Sequence, residues 1–123
     1  LLDSMVSIKQ LSFLRLKLNK SKEKSFVYRV LDEKEWSHFN RNKIFCGNLL
    51  DRKSGYIHLS KYNQLKSTIE IYFPKKKIVI LKIDVDNLRE KLVWEKSRDG
   101  EYFPHLYDKL ILENVVKVDF FNA

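Results

Sequence analysis

Hydrophobic and polar positions alternate in short runs along residues 25–121, and this pattern predicts a domain built largely from β-strands. Residues 25–31 are rich in β-branched and aromatic side chains, and residues 78–83 form the most apolar run of the chain. Further strands are predicted at residues 92–95, 110–112 and 115–121.

The stretch Tyr56–Ser60 follows a Ser-Gly turn and also has the period of two that a strand requires. Tyr56 and His58 would share one face of this strand, while Ile57 and Leu59 would occupy the other. A histidine and a hydroxyl at a strand end suit polar chemistry. The same histidine also suits a structural hydrogen bond, and this stretch alone leaves both roles open.

Two helices are predicted between the strands. Asp32 can cap the first, with Glu35 three residues later as in a capping box, and this helix should reach about residue 40. Ser60 is predicted to cap the second, which runs from 61 to about 73 and ends at Pro74. Residues 51–55 are predicted to form a polar turn. Asp99 and Gly100 are predicted to form a tight turn between strands.

Strands outnumber these helices and do not alternate with them regularly. The chain is therefore predicted to be an α+β domain, with mostly antiparallel mixed sheets and two or three helices.

Length and charge divide the chain into two parts. A chain of 123 residues with 44% hydrophobic residues is long enough for one core. Of the net charge of +8, half lies in residues 1–24, which are predicted to be a basic N-terminal extension to a single domain at residues 25–123. The domain itself is only mildly basic, which argues against a nucleic-acid surface within it.

Several classes of site are absent from the sequence. The single cysteine, Cys46, excludes an internal disulfide and fits a reducing compartment. No Cys or His pair has metal-ligand spacing, and no Gly-rich phosphate loop exists, so no metal is expected. No apolar run reaches the roughly 20 residues of a membrane span. A cytoplasmic location is expected, with organelle targeting by the basic start as an alternative.

Three polar and aromatic segments remain as candidates for chemistry: residues 56–60, 93–95 and 103–107. They contain two of the three histidines, His58 and His105, each between large apolar neighbours. Glu95 could be a recessed carboxylate or the partner of a lysine. Tyr107 could serve a ligand or be a core phenol.

Seven ordered motifs together resemble the domain of unknown function 952 family, over about residues 26–121. They are Val27-Tyr28-Arg29-Val30, Glu35-Trp36, Gly55-Tyr56-Ile57-His58-Leu59-Ser60, Asn63-Gln64, Ile83-Asp84, Val93-Trp94-Glu95 and Phe103-Pro104-His105-Leu106-Tyr107. The resemblance implies a fold similar to that of ADP-ribosyltransferases, with two small sheets around a nucleotide-sized cleft.

The resemblance also implies roles for individual residues. Glu95, His58 and His105 are the implied catalytic residues, and Arg29, Ser60 and Tyr107 the implied ligand-binding ones. Glu95 would orient a ribose and stabilise the cation formed as nicotinamide leaves. This sequence has Arg29 where the family usually has histidine. Arginine cannot act as a base near neutral pH, although it can clamp a phosphate or carboxylate.

Three functions follow as hypotheses. The first is an NAD-like nucleotide pocket that transfers ADP-ribose or performs a related ribose-centred reaction. The second is a non-catalytic binding module for a small anionic ligand or a protein partner. The third is an RNA-binding accessory domain, which would depend on the basic start. The sequence leaves open whether the protein is an enzyme.

Overall fold

The computed structural model describes residues 24–123, which form three antiparallel sheets and three α-helices. The helices are α1 (Glu33–Asn42), α2 (Leu49–Ser54) and α3 (Leu65–Tyr72). The strands are β1 (Phe26–Asp32), β2 (Ile44–Phe45), β3 (Ile57–His58), β4 (Lys77–Asp84), β5 (Leu92–Lys96), β6 (Tyr102–Leu106), β7 (Leu110–Ile111) and β8 (Val115–Asn122). The predicted α+β class is confirmed.

The longest sheet has the strand order β1-β4-β8 and carries much of the core. Val27 and Leu31 on β1 are buried against Val79, Leu81 and Ile83 on β4, and none of the five side chains is exposed to solvent. Burying such aliphatic side chains contributes roughly 1.5–3 kcal/mol each. The predicted strands at 25–31 and 78–83 are thus confirmed as the centre of the fold.

A second sheet has the order β3-β6-β5, and a third pairs β2 with β7. A single bridge joins the first two sheets, because Tyr28 and Ser60 exchange two backbone hydrogen bonds of 2.8 Å. The bridge holds β1 beside the end of β3. As a result, Arg29 and His58 come from distant parts of the sequence to one place.

The capping box predicted for the first helix is present. Asp32 Oδ1 accepts a hydrogen bond from the Glu35 N–H, and Glu35 Oε1 accepts one from the Asp32 N–H. These two bonds satisfy backbone donors that the helix start leaves without partners. Phe39 then anchors α1 in the core.

Two local predictions were wrong. Residues 49–54 form helix α2 rather than a polar turn, because Asn48 caps it and Asp51 completes a second capping box. Ser60 does not cap the next helix. Its hydroxyl bonds Thr68, and a 3₁₀ turn at Tyr62–Gln64 precedes α3.

The predicted extension lies outside the described residues except for Lys24. Among residues 24–123, no helix is both long and apolar enough to cross a membrane.

Candidate functional site

A cavity of about 210 Å³ opens where β1 and the second sheet meet α2 and α3. The cavity is smaller than the roughly 300–1,000 Å³ that encloses a drug-sized ligand. It can therefore enclose only a small molecule or one part of a larger ligand. Its walls include polar and charged side chains from all these elements: Arg29, Asp51, His58, Ser60, Thr68, Arg98 and His105.

His105 is held by Glu95, which lies on the adjacent strand β5 of the second sheet. The imidazole is 1% exposed, and Nδ1 lies 2.9 Å from Glu95 Oε1. An ionised carboxylate only accepts hydrogen bonds, so we assign the proton to Nδ1, which leaves a lone pair on Nε2. Nε2 is buried and has no hydrogen-bond partner among the described residues. Buried nitrogens are rarely left this way, and Nε2 can therefore accept a hydrogen bond from a bound molecule.

Tyr107 and Tyr56 complete the surroundings of this histidine. The Tyr107 hydroxyl donates a 2.6 Å hydrogen bond to Glu95 Oε1, and the Tyr56 ring stacks on the imidazole with centroids 4.0 Å apart. The bonds from Tyr107 and His105 lower the pKa of Glu95 below its ordinary value. The same bond to Glu95 raises the pKa of Tyr107 to about 12. Glu95 is therefore ionised at neutral pH and Tyr107 is protonated.

His58 repeats the arrangement with a different carboxylate. Its Nδ1 lies 2.7 Å from Asp51 Oδ1, and its backbone N–H donates to the same oxygen at 3.0 Å. Burial alone would raise the pKa of Asp51, but hydrogen bonds from His58 and the charge of Arg29 outweigh it and hold the pKa well below its usual range. We assign the proton to Nδ1 of His58 on the same reasoning as for His105.

Arg29 is the cation of a buried ion pair. Its two terminal nitrogens each lie 2.9 Å from an oxygen of Asp51, and one also donates to the His58 carbonyl at 2.9 Å. The guanidinium lies over the Phe45 ring, and its Nε is buried with no partner among the described residues. The ligand-binding role expected for Arg29 stays a prediction. Most of its donors are already engaged.

Asp51 reaches this position because Gly47 leaves room for it. A Cβ on Gly47 would lie 2.6 Å from the Asp51 Cβ, and the φ of +100° also favours glycine. Asp51 Oδ2 accepts a hydrogen bond from the Asn48 N–H, so one carboxylate completes the capping box of α2 and also pairs with Arg29. The sequence gives one signal for it, the spacing of Asn48 and Asp51 in a capping box, which the prediction missed.

The remaining polar groups lie on the opposite side of the cavity, on α3 and the β5–β6 turn. The hydroxyls of Ser60 and Thr68 are 3.2 Å apart, and Arg98 donates to Thr68 Oγ1 at 3.2 Å and to Ser67 Oγ at 2.9 Å. Thr68 and Arg98 were not predicted, because no sequence pattern distinguishes them from ordinary helix and turn residues.

Four of the six predicted site residues line the same cavity: Arg29, His58, Ser60 and His105. Glu95 and Tyr107 join it through hydrogen bonds to one another and to His105. Their assignment as catalytic or ligand-binding residues stays a prediction. Within residues 24–123, no group of three His, Cys, Asp or Glu side chains could hold a metal ion.

Comparisons with known proteins identify relatives. A family model described as "Protein of unknown function (DUF952)" matches residues 30–118. The crystal structure of protein CC0527 from Caulobacter crescentus is similar, with 33% identity, a TM-score of 0.74, and coverage of 78% of this chain and 85% of that one. Its solution NMR structure gives 32% identity, a TM-score of 0.70, and coverage of 79% and 84%. No curated protein matches the chain.

Proposed function

The chain belongs to the DUF952 family, and from this premise we propose that its cavity binds a nucleotide-type ligand, with NAD as the first candidate, and performs a ribose-centred reaction on it. The proposal includes a fold relationship to ADP-ribosyltransferases, which is supported by the ordered motifs in the sequence. One observation carries the proposed chemistry. His105 lines the cavity, Glu95 holds its Nδ1, and its buried Nε2 has no hydrogen-bond partner within residues 24–123.

This pair suits a general base. When Nε2 takes a proton, the imidazole becomes a cation, and the ionised Glu95 on Nδ1 stabilises that cation. In ADP-ribosyl transfer, the bond between the ribose C1′ and nicotinamide breaks, and its electron pair leaves with nicotinamide. A nucleophilic hydroxyl then bonds C1′ and passes its proton to Nε2 of His105. The negative charge of Glu95 also favours the cationic sugar.

The size of the cavity limits how NAD can bind. About 210 Å³ holds one ribose and a phosphate, so the rest of the dinucleotide must lie at the mouth. Exposed aromatic side chains are present there. Tyr72 lines the cavity and is 49% exposed, and Tyr62 packs edge-to-face against Tyr28, another cavity residue. Their rings offer faces on which a base can stack.

Calorimetry with NAD and measurement of nicotinamide release test the proposal. We expect NAD to bind the full chain. We also expect His105→Ala to abolish nicotinamide release that depends on a hydroxyl acceptor, whereas His38→Ala, on the exposed face of α1, leaves NAD binding and nicotinamide release unchanged. Absence of both heat and thermal stabilisation at millimolar nucleotide would contradict the proposal.

A non-catalytic binding module is the second candidate. It is favoured by the closed network of Arg29, Asp51 and His58, in which the charged groups satisfy one another. Such a module would be stabilised by a ligand without turnover, and Glu95→Gln would leave the affinity nearly unchanged. A large loss of binding in that variant would favour the ribose-orienting role of Glu95 instead.

RNA binding is a third candidate and depends on the basic extension. It predicts affinity that falls steeply with salt and is lost when residues 1–24 are removed. Binding that survives this deletion would rule out the extension as its cause.

A further inference from the structure

Arg98 is placed at the cavity by the turn between β5 and β6. The turn is closed by a 2.8 Å hydrogen bond from the Ser97 N–H to the Glu101 carbonyl, and Asp99 and Gly100 both have positive φ. This geometry carries the Arg98 side chain to α3. There, one terminal nitrogen donates to Ser67 Oγ and Thr68 Oγ1.

The guanidinium is also fixed by two aromatic rings. Its central carbon lies 4.9 Å from the centroid of Phe103 and 5.7 Å from that of Tyr72. Aromatic faces attract a guanidinium, and arginine loses little freedom on binding because its fork is already planar. The Arg98 donors are thereby oriented before any ligand arrives.

Arg98 differs from the other charged groups of the cavity, because it has no acidic partner in the part of the chain that the structure describes. Arg29 and His58 share Asp51, and His105 is held by Glu95. Among residues 24–123, no carboxylate lies within 4.0 Å of the Arg98 guanidinium. Of the charged side chains that line the cavity, Arg29 and Asp51 offset each other, and the positive charge of Arg98 is left over, which favours an anion.

We infer that Arg98, with the hydroxyls of Ser60 and Thr68, forms a binding site for a phosphate group. Phosphate offers more acceptor oxygens than a carboxylate, and a guanidinium flanked by hydroxyls supplies donors for several of them. Thr68 accepts from Arg98, so its own hydrogen is free for Ser60 or for a phosphate oxygen. This inference rests on the proposed function and names Arg98, not Arg29, as its main phosphate-binding residue.

The position of the site also indicates which compounds should bind. Tyr72 is half-exposed beside Arg98, so a phosphate attached to a nucleoside could place its base against that ring. A nucleotide should therefore bind more tightly than its nucleoside. Inorganic pyrophosphate should bind through the phosphate site alone.

Calorimetry on the full chain with ADP, adenosine and inorganic pyrophosphate tests the inference. We expect Arg98→Gln to weaken ADP and pyrophosphate binding by about 10- to 100-fold, because a hydrogen bond to a charged group is lost. The affinity of Arg98→Gln for adenosine should differ from that of wild type by less than about twofold, because adenosine has no phosphate. The affinities of Arg98→Lys for ADP and pyrophosphate should fall between those of wild type and Arg98→Gln, since lysine keeps the positive charge but lacks the planar fork of donors. Arg41→Gln, an exposed position on α1, is the matched control.

The outcomes separate this site from the proposed function. ADP binding that is equal in wild type and a folded Arg98→Gln variant would overturn the phosphate site and leave nucleotide binding standing. Wild-type binding of pyrophosphate without ADP, lost in Arg98→Gln, would support the phosphate site and count against the nucleotide function. Failure of wild type to bind any of the three compounds would overturn both. Thermal unfolding of each variant, including Arg98→Lys, shows whether it is folded.

Discussion

His58 and His105 are direct partners across strands β3 and β6, and each has its Nδ1 within 2.9 Å of a carboxylate oxygen. Their ring centroids are 5.7 Å apart. Two imidazoles held by separate carboxylates therefore line one small cavity. The fold brings the two histidines together although they are 47 positions apart in the sequence.

Asp51→Asn should strongly destabilise the domain. The amide cannot pair with Arg29 as a carboxylate does, and removing one partner of a buried ion pair leaves an uncompensated charge that costs about 3–5 kcal/mol. Denaturant unfolding measures the change. Asp119→Asn is the control, because Asp119 forms an exposed pair with Lys117 at 3.6 Å and should change the free energy of unfolding by at most about 1 kcal/mol. Equal losses in the two variants would contradict the buried network.

Asp51 should also make the domain sensitive to acid. Its pKa is lower in the folded protein than the ordinary value of about 3.9, so its stabilising contribution is complete above that pH. The contribution is then lost as the pH falls from about 4 toward the lower folded pKa. Unfolding curves measured at falling pH should show this loss in wild type and much less of it in Asp51→Asn. If the free energy of unfolding falls equally with pH in wild type and in Asp51→Asn, the lowered pKa of Asp51 is contradicted.

Gly47→Ala should destabilise the site more than Gly55→Ala. Both positions have positive φ, which costs a non-glycine residue roughly 1–2 kcal/mol. At Gly47 the new methyl would also collide with Asp51, whereas nothing lies within 4 Å of a Cβ on Gly55. Overpacking of this kind adds about 1–3 kcal/mol. Thermal unfolding of both variants compares their stabilities. A greater loss of stability in Gly55→Ala than in Gly47→Ala would contradict the close contact between Gly47 and Asp51.

Glu95→Gln should lower the pKa of Tyr107. The carboxylate raises this pKa to about 12, and without the negative charge the phenol should titrate nearer its ordinary value of about 10. NMR of the labelled Tyr107 ring should therefore show phenolate in the variant at about pH 11 while wild type stays mostly protonated. Glu101 is an exposed residue just before β6, and in Glu101→Gln the Tyr107 phenol should titrate as in wild type. An unchanged Tyr107 titration in Glu95→Gln would argue against the bond.

The sequence predicted the elements whose signals are local. The alternation of residues 25–31 and the apolar run 78–83 identified β1 and β4, and the spacing of Asp32 and Glu35 identified the start of α1. Each of these signals depends on neighbours within a few positions. The ordered motifs also predicted the family.

The cavity was only partly predictable, because its contacts join residues distant in sequence. Asp51 appeared to belong to a polar turn, since its partners Arg29 and His58 are brought to it by the bridge between β1 and β3. Arg98 belongs to a turn whose residues usually face solvent, and its place at the cavity depends on packing against Phe103 and Tyr72. The charge balance of the cavity depends on which distant side chains the fold brings together, so it could not be predicted from the sequence.

The most direct test of the central claim is NMR of the three histidine rings during titration of the full chain with NAD. The account predicts that the Nε2 signals of His58 and His105 shift and saturate together, because both residues line the cavity proposed to bind NAD. His38, exposed on α1, serves as the internal reference and should not move. Unchanged His58 and His105 signals at millimolar NAD, or an equal shift of all three, would contradict the account.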